Sequence, residues 1–142
     1  MKIAVASDHA GYELKNSLLE YLTAEGIEYE DFGTYSLEST DYPEYGKLIG
    51  QKVASGQFSL GLLFCGTGVG ISIAANKIKG VRAVVCSDTF TARASRQHNN
   101  SNILALGGRV VGVDLAKDIF DAWFNVQFEG GRHQRRIDLI EN

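Results

Sequence analysis

The stretch from Cys65 to Gly70 reads CGTGVG and joins an apolar run to a sequence with helical spacing. Its three glycines leave the backbone N–H groups open to a close approach, because no Cβ atom stands in the way. At a helix N-terminus such groups bind an anion, either a phosphate or a transient oxyanion. Cys65 directly precedes this turn, where a positive field stabilises a thiolate. The stretch therefore favours a base or nucleophile beside an anion site over a cysteine that is only a small buried hydrophobe.

The same stretch differs from a nucleotide-binding loop. The dinucleotide fingerprint is G-x-G-x-x-G after the first strand, with an acidic residue about 20 positions later. Here Gly66, Gly68 and Gly70 form G-x-G-x-G after the third predicted strand. Asp88 matches the acidic position only because a βαβ unit has this length. No Gly-Lys-Ser/Thr completes a P-loop, so nicotinamide, flavin and P-loop sites are all disfavoured.

Two histidines and a C-terminal arginine cluster lie near predicted ends of elements. His9 follows the first strand, and His98 precedes two asparagines at the end of a helix. Polar neighbours at both positions favour proton transfer over the commoner role of a cap or surface residue. The segment GGRHQRR carries Arg132, Arg135 and Arg136, which form either a solvated tail or a phosphate clamp. If this segment is helical, Arg132 and Arg136 share one face.

Apolar runs alternate with helical patterns along the whole chain. The strands are predicted at residues 3–6, 28–32, 60–64, 81–86 and 103–106, and the last long helix at 114–128. This alternation predicts a parallel sheet covered on both faces. Ligands of such sheets bind beyond the carboxyl ends of the strands. The residues expected on that one rim are Asp8, His9, Cys65, Ser87 and Asp88.

Length and composition indicate one soluble domain. The chain has 142 residues, of which 44% are hydrophobic and 22% charged, and it contains a single proline and no linker. A net charge of −3 argues against a general nucleic-acid or membrane partner. Cys65 and Cys86 lack metal-ligand spacing and fit reduced thiols of a cytoplasmic protein. Neither a signal peptide nor an apolar run of membrane-spanning length is recognisable.

Six motifs together resemble the sugar-phosphate isomerase family that groups type B ribose-5-phosphate isomerases with galactose-6-phosphate isomerase subunits. They are SDHAG at 7–11, TDYP at 40–43, CGTGVGISIAANKIKGVRA at 65–83, RQHNNSN at 96–102, GGRVVG at 107–112 and EGGRHQRR at 129–136. The resemblance implies a Rossmann-like three-layer α/β/α sandwich with a five-stranded parallel sheet, as one isomerase domain over residues 1–142. It also implies no cofactor, no metal, and a homodimer or homotetramer with a shared active site. The arginine-containing C-terminal segment is then expected to reach the neighbouring subunit.

The resemblance also implies roles for individual residues. Cys65 would move the proton between C1 and C2, Thr67 would assist proton exchange on the substrate oxygens, and His98 would open the furanose ring. The substrate-binding residues would be Asp8 and Asn99 at the sugar hydroxyls, Tyr42 lining the sugar site, Gly66, Gly68 and Gly70 at the enediolate oxygens, and His9, Arg109, Arg132 and Arg136 at the phosphate. One branch of the family replaces the cysteine by a glutamate at the position of Ile71, so this chain matches the cysteine branch.

The activity that the resemblance implies is the interconversion of ribose 5-phosphate and ribulose 5-phosphate through a cis-enediolate. One alternative keeps this chemistry on a hexose phosphate such as allose 6-phosphate. A second alternative is a non-catalytic module that binds a sugar phosphate or nucleotide. Cys65 together with His98 favours an enzyme, because a binding module needs neither a thiol base nor a ring-opening acid. The choice between pentose and hexose phosphate stays open, since the two differ by one carbon.

Overall fold

Five parallel strands form one sheet in the computed structural model, which describes all residues from Met1 to Asn142. The strands are β1 (Lys2–Ser7), β2 (Glu28–Asp31), β3 (Leu60–Cys65), β4 (Ala83–Val85) and β5 (Ile103–Gly107), in the order β2-β1-β3-β5-β4. The helices are α1 (Tyr12–Ala24), α2 (Tyr42–Ala54), α3 (Val69–Asn76), α4 (Thr89–Asn99), α5 (Val113–Phe124) and α6 (Arg132–Glu141). None of the six helices has the length and apolar character that crossing a membrane requires.

The two faces of the sheet bury different side chains, because successive residues of a strand point to opposite sides. On one face Ile3 and Val5 pack in a cluster with Trp123 of α5 and with apolar residues of α1 and α4. On the other face Ala4 packs in a cluster with Ile49 of α2 and apolar residues of α3. Helices therefore cover both faces, and the predicted α/β/α sandwich with a five-stranded parallel sheet is confirmed.

Three bounds differ from the prediction by two residues or more, and a specific hydrogen bond lies at each of them. Helix α3, which the sequence pattern predicts to run to about residue 78, ends at Asn76. The Asn76 side chain forms hydrogen bonds of 2.8 and 2.9 Å with the backbone of Ala83 and ties this end to β4. Strand β4 has only three residues, since the backbone N–H of Arg82 donates to a side chain instead. Helix α5 ends at Phe124, because the chain then crosses to α4, where the Glu129 N–H donates to a carbonyl at 3.0 Å.

Lys15 is a fully buried cation that holds the loop after β2 against α1. Its Nζ donates to Asp31 Oδ1 at 2.8 Å and to the Thr34 carbonyl at 2.6 Å. Lys15→Met keeps the side-chain length but leaves both acceptors without this donor. We expect the free energy of unfolding, measured by urea denaturation, to fall by about 3 kcal/mol. The exposed Lys47→Met is the control and should change it by less than about 0.5 kcal/mol; equal effects would contradict the prediction.

Candidate active site

The carboxyl ends of β1 and β3 and the start of α3 enclose a cavity of about 350 Å³. Parallel register explains this placement, since Ser7 lies opposite Phe64 and Cys65 lies opposite Gly107. The cavity is lined by eight of the predicted site residues, namely Asp8, His9, Tyr42, Cys65, Gly66, Thr67, Gly70 and Arg109. The residues that follow neighbouring strands therefore meet at one edge, as the strand pattern predicted.

Two residues expected on this rim do not line the cavity. Ser87 and Asp88 follow β4, which is the edge strand of the sheet. The Asp88 carboxylate instead accepts a hydrogen bond from the backbone N–H of Thr91 at 2.7 Å, as the N-cap of α4. The hydrogen bonds from Thr91 lower the pKa of Asp88. Asp88 is thus a capping residue, and its distance in sequence from the glycine turn does not indicate a ribose-binding acid.

Cys65 ends β3 with its sulfur facing the glycine turn. Its Sγ accepts a hydrogen bond from the backbone N–H of Gly68 at 3.1 Å, and the residue is only 4% exposed. Gly68 has a φ of +79°, and a Cβ atom there would lie 2.8 Å from Val85. Glycine is therefore required for the turn that brings this N–H back to the sulfur. The sulfur therefore lies at the cavity wall with a fixed orientation, where it could accept a proton from a bound substrate.

The amides next to the sulfur provide an anion site. The backbone N–H groups of Gly66, Thr67 and Gly70 make no hydrogen bond within the chain. They precede or begin α3, whose first N–H groups have no carbonyl partners in the helix and whose dipole favours negative charge. The Thr67 hydroxyl accepts from the Val69 N–H at 3.2 Å, which caps the helix. An oxyanion beside Cys65 would find unpaired donors here.

Two further contacts shape the cavity wall. His9 Nδ1 accepts a hydrogen bond from the backbone N–H of Thr40 at 3.1 Å, so that Nδ1 is unprotonated and Nε2 carries the proton of the neutral ring. His9 Nε2 is therefore a donor for a bound anion. The Tyr42 ring lies directly on Gly70, where an added Cβ atom would lie 2.5 Å from the ring. Gly70 thus permits the aromatic ring to approach the start of α3.

Four other predicted site residues lie at the opposite edge of the sheet. Helix α4 begins after the carboxyl end of β4 and runs back for 11 residues, about 16 Å. It ends where the Asn99 carbonyl accepts a hydrogen bond from Arg82 Nε at 3.1 Å, just before β4 begins. His98 and Asn99 therefore lie at the amino edge, and α6, which carries Arg132 and Arg136, packs against α4 there. One chain does not bring His98 to Cys65.

The segment before α6 and the first turn of α6 add two residues, Glu129 and His133, that were not among the predicted site residues. The Glu129 carboxylate lies between two imidazoles, with Oε1 3.8 Å from His98 Nε2 and 3.7 Å from His133 Nε2. The two histidine rings stack, with centroids 4.4 Å apart and planes 11° apart. Burial lowers the pKa of His133, and the charges of His98 and Arg132 lower it further. The spacing of Glu129 and His133, four residues apart, was the available sequence signal.

A larger cavity, of about 410 Å³, lies at the amino edge beside Arg82 and Arg96. Arg82 is already paired with Glu141 and with two backbone carbonyls of the α4 end. The lining of this cavity offers one hydroxyl, that of Ser59, but no cysteine, histidine or carboxylate. The smaller cavity is the candidate active site, because a thiol, a hydroxyl and unpaired amides meet in it.

The chain is similar to known proteins along nearly its whole length. A family model described as Ribose/Galactose Isomerase matches residues 3–140. Ribose-5-phosphate isomerase B of Escherichia coli is 55% identical over 139 residues, covering 98% of this chain and 93% of that protein. A structure of ribose-5-phosphate isomerase B from Clostridium thermocellum superimposes with a TM-score of 0.97 at 52% identity, covering 99% and 95% of the two chains. A ribose-5-phosphate isomerase B from Mycoplasma genitalium with bound ribulose-5-phosphate gives a TM-score of 0.93 at 43% identity, covering 99% and 93%.

Proposed function

Because this chain belongs to the ribose/galactose isomerase family and is an isomerase, we propose that its reaction interconverts ribose 5-phosphate and ribulose 5-phosphate. The observation that carries the proposal is the Cys65 sulfur, which accepts a backbone hydrogen bond beside three unpaired amides in one cavity. A thiolate next to an oxyanion site is suited to moving a proton between adjacent carbons of a sugar.

In the proposed mechanism, His98 first opens the furanose by giving a proton to the ring oxygen while the C1 hydroxyl loses one. The Cys65 thiolate then removes the proton from C2 of the open aldose and leaves a cis-enediolate. The amides of Gly66, Thr67 and Gly70 hold the negative charge on the enediolate oxygens, while the proton of O2 passes to O1 with the help of the Thr67 hydroxyl. Return of the proton from Cys65 to C1 leaves a carbonyl at C2, which is the ketose.

We further propose that two copies of the chain complete each site. Cys65 and its neighbours line the carboxyl edge of the sheet, whereas His98 lies at the amino edge. Both groups can act on one sugar only if the second group comes from another copy. A two-fold interface is self-complementary and would build two such sites at once. Asn99 would then contact the sugar hydroxyls together with Asp8, whose Oδ1 already accepts the Gly11 N–H at 3.0 Å.

The phosphate is assigned to His9, Arg109, Arg132 and Arg136. The helical geometry of α6 places Arg132 and Arg136 one turn apart, and both are exposed. We expect Arg132→Ala to raise the KM for ribose 5-phosphate strongly and to change kcat little, since the phosphate lies away from the reacting carbons.

Arg135→Ala is the matched control for this prediction, because Arg135 is an exposed arginine of the same helix without an assigned role. Its KM should stay within about twofold of the wild-type value. A fall in kcat alone for Arg132→Ala would remove Arg132 from the phosphate site. An equal rise in KM for both variants would indicate that substrate binding depends on the total positive charge of α6 and not on Arg132 itself.

The experiment that tests the proposed function is a comparison of kcat/KM for ribose 5-phosphate and allose 6-phosphate. We expect the pentose phosphate to be preferred. A preference for allose 6-phosphate would keep the mechanism and change the substrate. If folded protein binds a sugar phosphate but forms no ketose from either compound, the chain is a binding module and the proposed reaction is wrong.

A further inference from the structure

We propose that His98, Glu129 and His133 form a binding site for one borderline divalent cation such as Zn²⁺, and that its occupancy blocks ring opening. The three ligand atoms all lie within 4.8 Å of one another. Tetrahedral zinc with nitrogen and carboxylate ligands places ligand atoms about 3.3–3.5 Å apart. The distances from Glu129 Oε1, 3.8 Å to His98 and 3.7 Å to His133, need to shorten by only a few tenths of an ångström.

The backbone holds the three residues together without a metal. The Glu129 N–H donates to the Gln97 carbonyl at 3.0 Å, which holds the Glu129 backbone beside the last turn of α4. His133 lies four residues later in the first turn of α6, and its N–H donates to the Gly130 carbonyl at 3.2 Å. Two imidazoles with one carboxylate form the ligand set of several catalytic zinc sites. Imidazole ligands favour zinc, nickel and copper over magnesium and calcium.

The stacked arrangement of the two rings must change when a metal binds. A metal lies in the plane of each imidazole that ligates it. The two ring planes are within 11° of parallel and their centroids are 4.4 Å apart, so one metal cannot lie in both planes in this arrangement. The His98 ring is the one free to turn, since its side chain is 45% exposed and that of His133 only 10%. Rotation of a histidine ring about χ2 is only weakly restricted, because the energy profile of this torsion is broad.

Charge limits the strength of this site. Arg132 and Arg136 lie on the same helix as His133, and their positive charges oppose a cation there. The single carboxylate of Glu129 offsets only part of this repulsion. We therefore expect a reversible, inhibitory site that is weaker than a structural zinc site, and not a site for a resident cofactor.

The functional consequence concerns the His98 Nε2 atom. A nitrogen bound to a metal cannot exchange a proton, so metal binding would remove the group that opens the sugar ring. This consequence rests on the proposed function, whereas metal binding itself does not. The two parts therefore need separate measurements.

Binding is tested by calorimetric titration of the full-length protein with zinc chloride in a phosphate-free buffer. We expect one zinc per chain, and we expect this binding to be lost in Glu129→Gln and in His133→Gln. Cobalt should give the intense visible absorption of a low-symmetry, four-coordinate site, and only when both residues are intact. The control is Cys65→Ala, because a thiolate is itself a strong zinc ligand and this cysteine lies outside the cluster. Zinc binding that survives both cluster variants, or that is lost in Cys65→Ala, would overturn the site.

Inhibition is tested with ribose 5-phosphate and with 4-deoxyribose 5-phosphate, which has no C4 hydroxyl and cannot form a furanose. Zinc should inhibit turnover of ribose 5-phosphate with a midpoint that matches its dissociation constant, and should spare the acyclic compound. Equal inhibition of both substrates, or none at zinc saturation, would overturn the block of ring opening. If zinc-free enzyme isomerises neither compound, the proposed function fails, and the binding titration still decides the metal site.

Discussion

Replacing Cys65 with alanine is expected to lower kcat for ribose 5-phosphate by about 10²–10⁴-fold or more. In the proposed mechanism, the substitution removes the group that carries the proton between C1 and C2, and alanine fits the buried end of β3. Substrate affinity should survive, because the amides of Gly66, Thr67 and Gly70 belong to the backbone. The measurements are the appearance of ketose and the calorimetric dissociation constant, on protein whose thermal unfolding matches that of the wild type.

Cys86→Ala provides the matched control for this prediction. Cys86 is the second buried cysteine, and burial, with a smaller effect of the Asp88 charge, raises the pKa of its thiol to about 11. This thiol is therefore protonated at neutral pH and cannot act as a base. The control should keep kcat within about twofold. Unchanged turnover in Cys65→Ala would place the base elsewhere, and a comparable loss in Cys86→Ala would indicate that both effects come from core packing.

The second large effect is expected for His98→Asn, with a loss of about 10²–10⁴-fold in kcat/KM for ribose 5-phosphate. Asparagine cannot move a proton to the ring oxygen, so the enzyme would have to wait for spontaneous ring opening. The rate at high enzyme concentration should then reach a plateau that more enzyme does not raise. Turnover of 4-deoxyribose 5-phosphate should match the wild type, because this compound is already open.

Two results would contradict the ring-opening role of His98. If His98→Asn slows the acyclic compound as much as ribose 5-phosphate, His98 takes part in binding or in the carbon proton transfer. If neither substrate is affected, ring opening belongs to another group.

Mixing the two variants tests the arrangement of the sites. Random exchange between Cys65→Ala and His98→Asn dimers makes about half of the dimers mixed, because a two-fold dimer pairs copies without preference. Each mixed dimer has one site with both defects and one intact site, so about a quarter of the wild-type activity should return. No recovery after verified exchange would show that each chain holds a whole site.

The sequence predicts the carboxyl-edge cavity well, for a simple geometric reason. Apolar runs identify β1 and β3, and parallel strands end at one edge, so Asp8, His9 and Cys65 must come together. The hydrogen bond from Gly68 to the sulfur could not be predicted, because it depends on the φ angle of one glycine.

The amino-edge group is harder to predict from local patterns. The position of His98 follows from the direction of α4, which runs back along the sheet and carries it away from the other motifs. The segment between α5 and α6 has no periodicity, and the contact that ends α5 joins Glu129 to Gln97 across a distance of 32 positions. The pairing of Glu129 with two histidines therefore emerges only once the chain is folded.

The proposed site, built from opposite edges of two sheets, would make turnover depend on the association of two chains. A chain that has just folded would be catalytically silent until it met a second copy, although its secondary structure would already be complete. Activity per milligram should therefore fall on dilution below the dissociation constant of the dimer, following mass action, while the circular dichroism per residue stays constant. Added substrate should oppose this loss, because a sugar phosphate held by both copies binds only the assembled form.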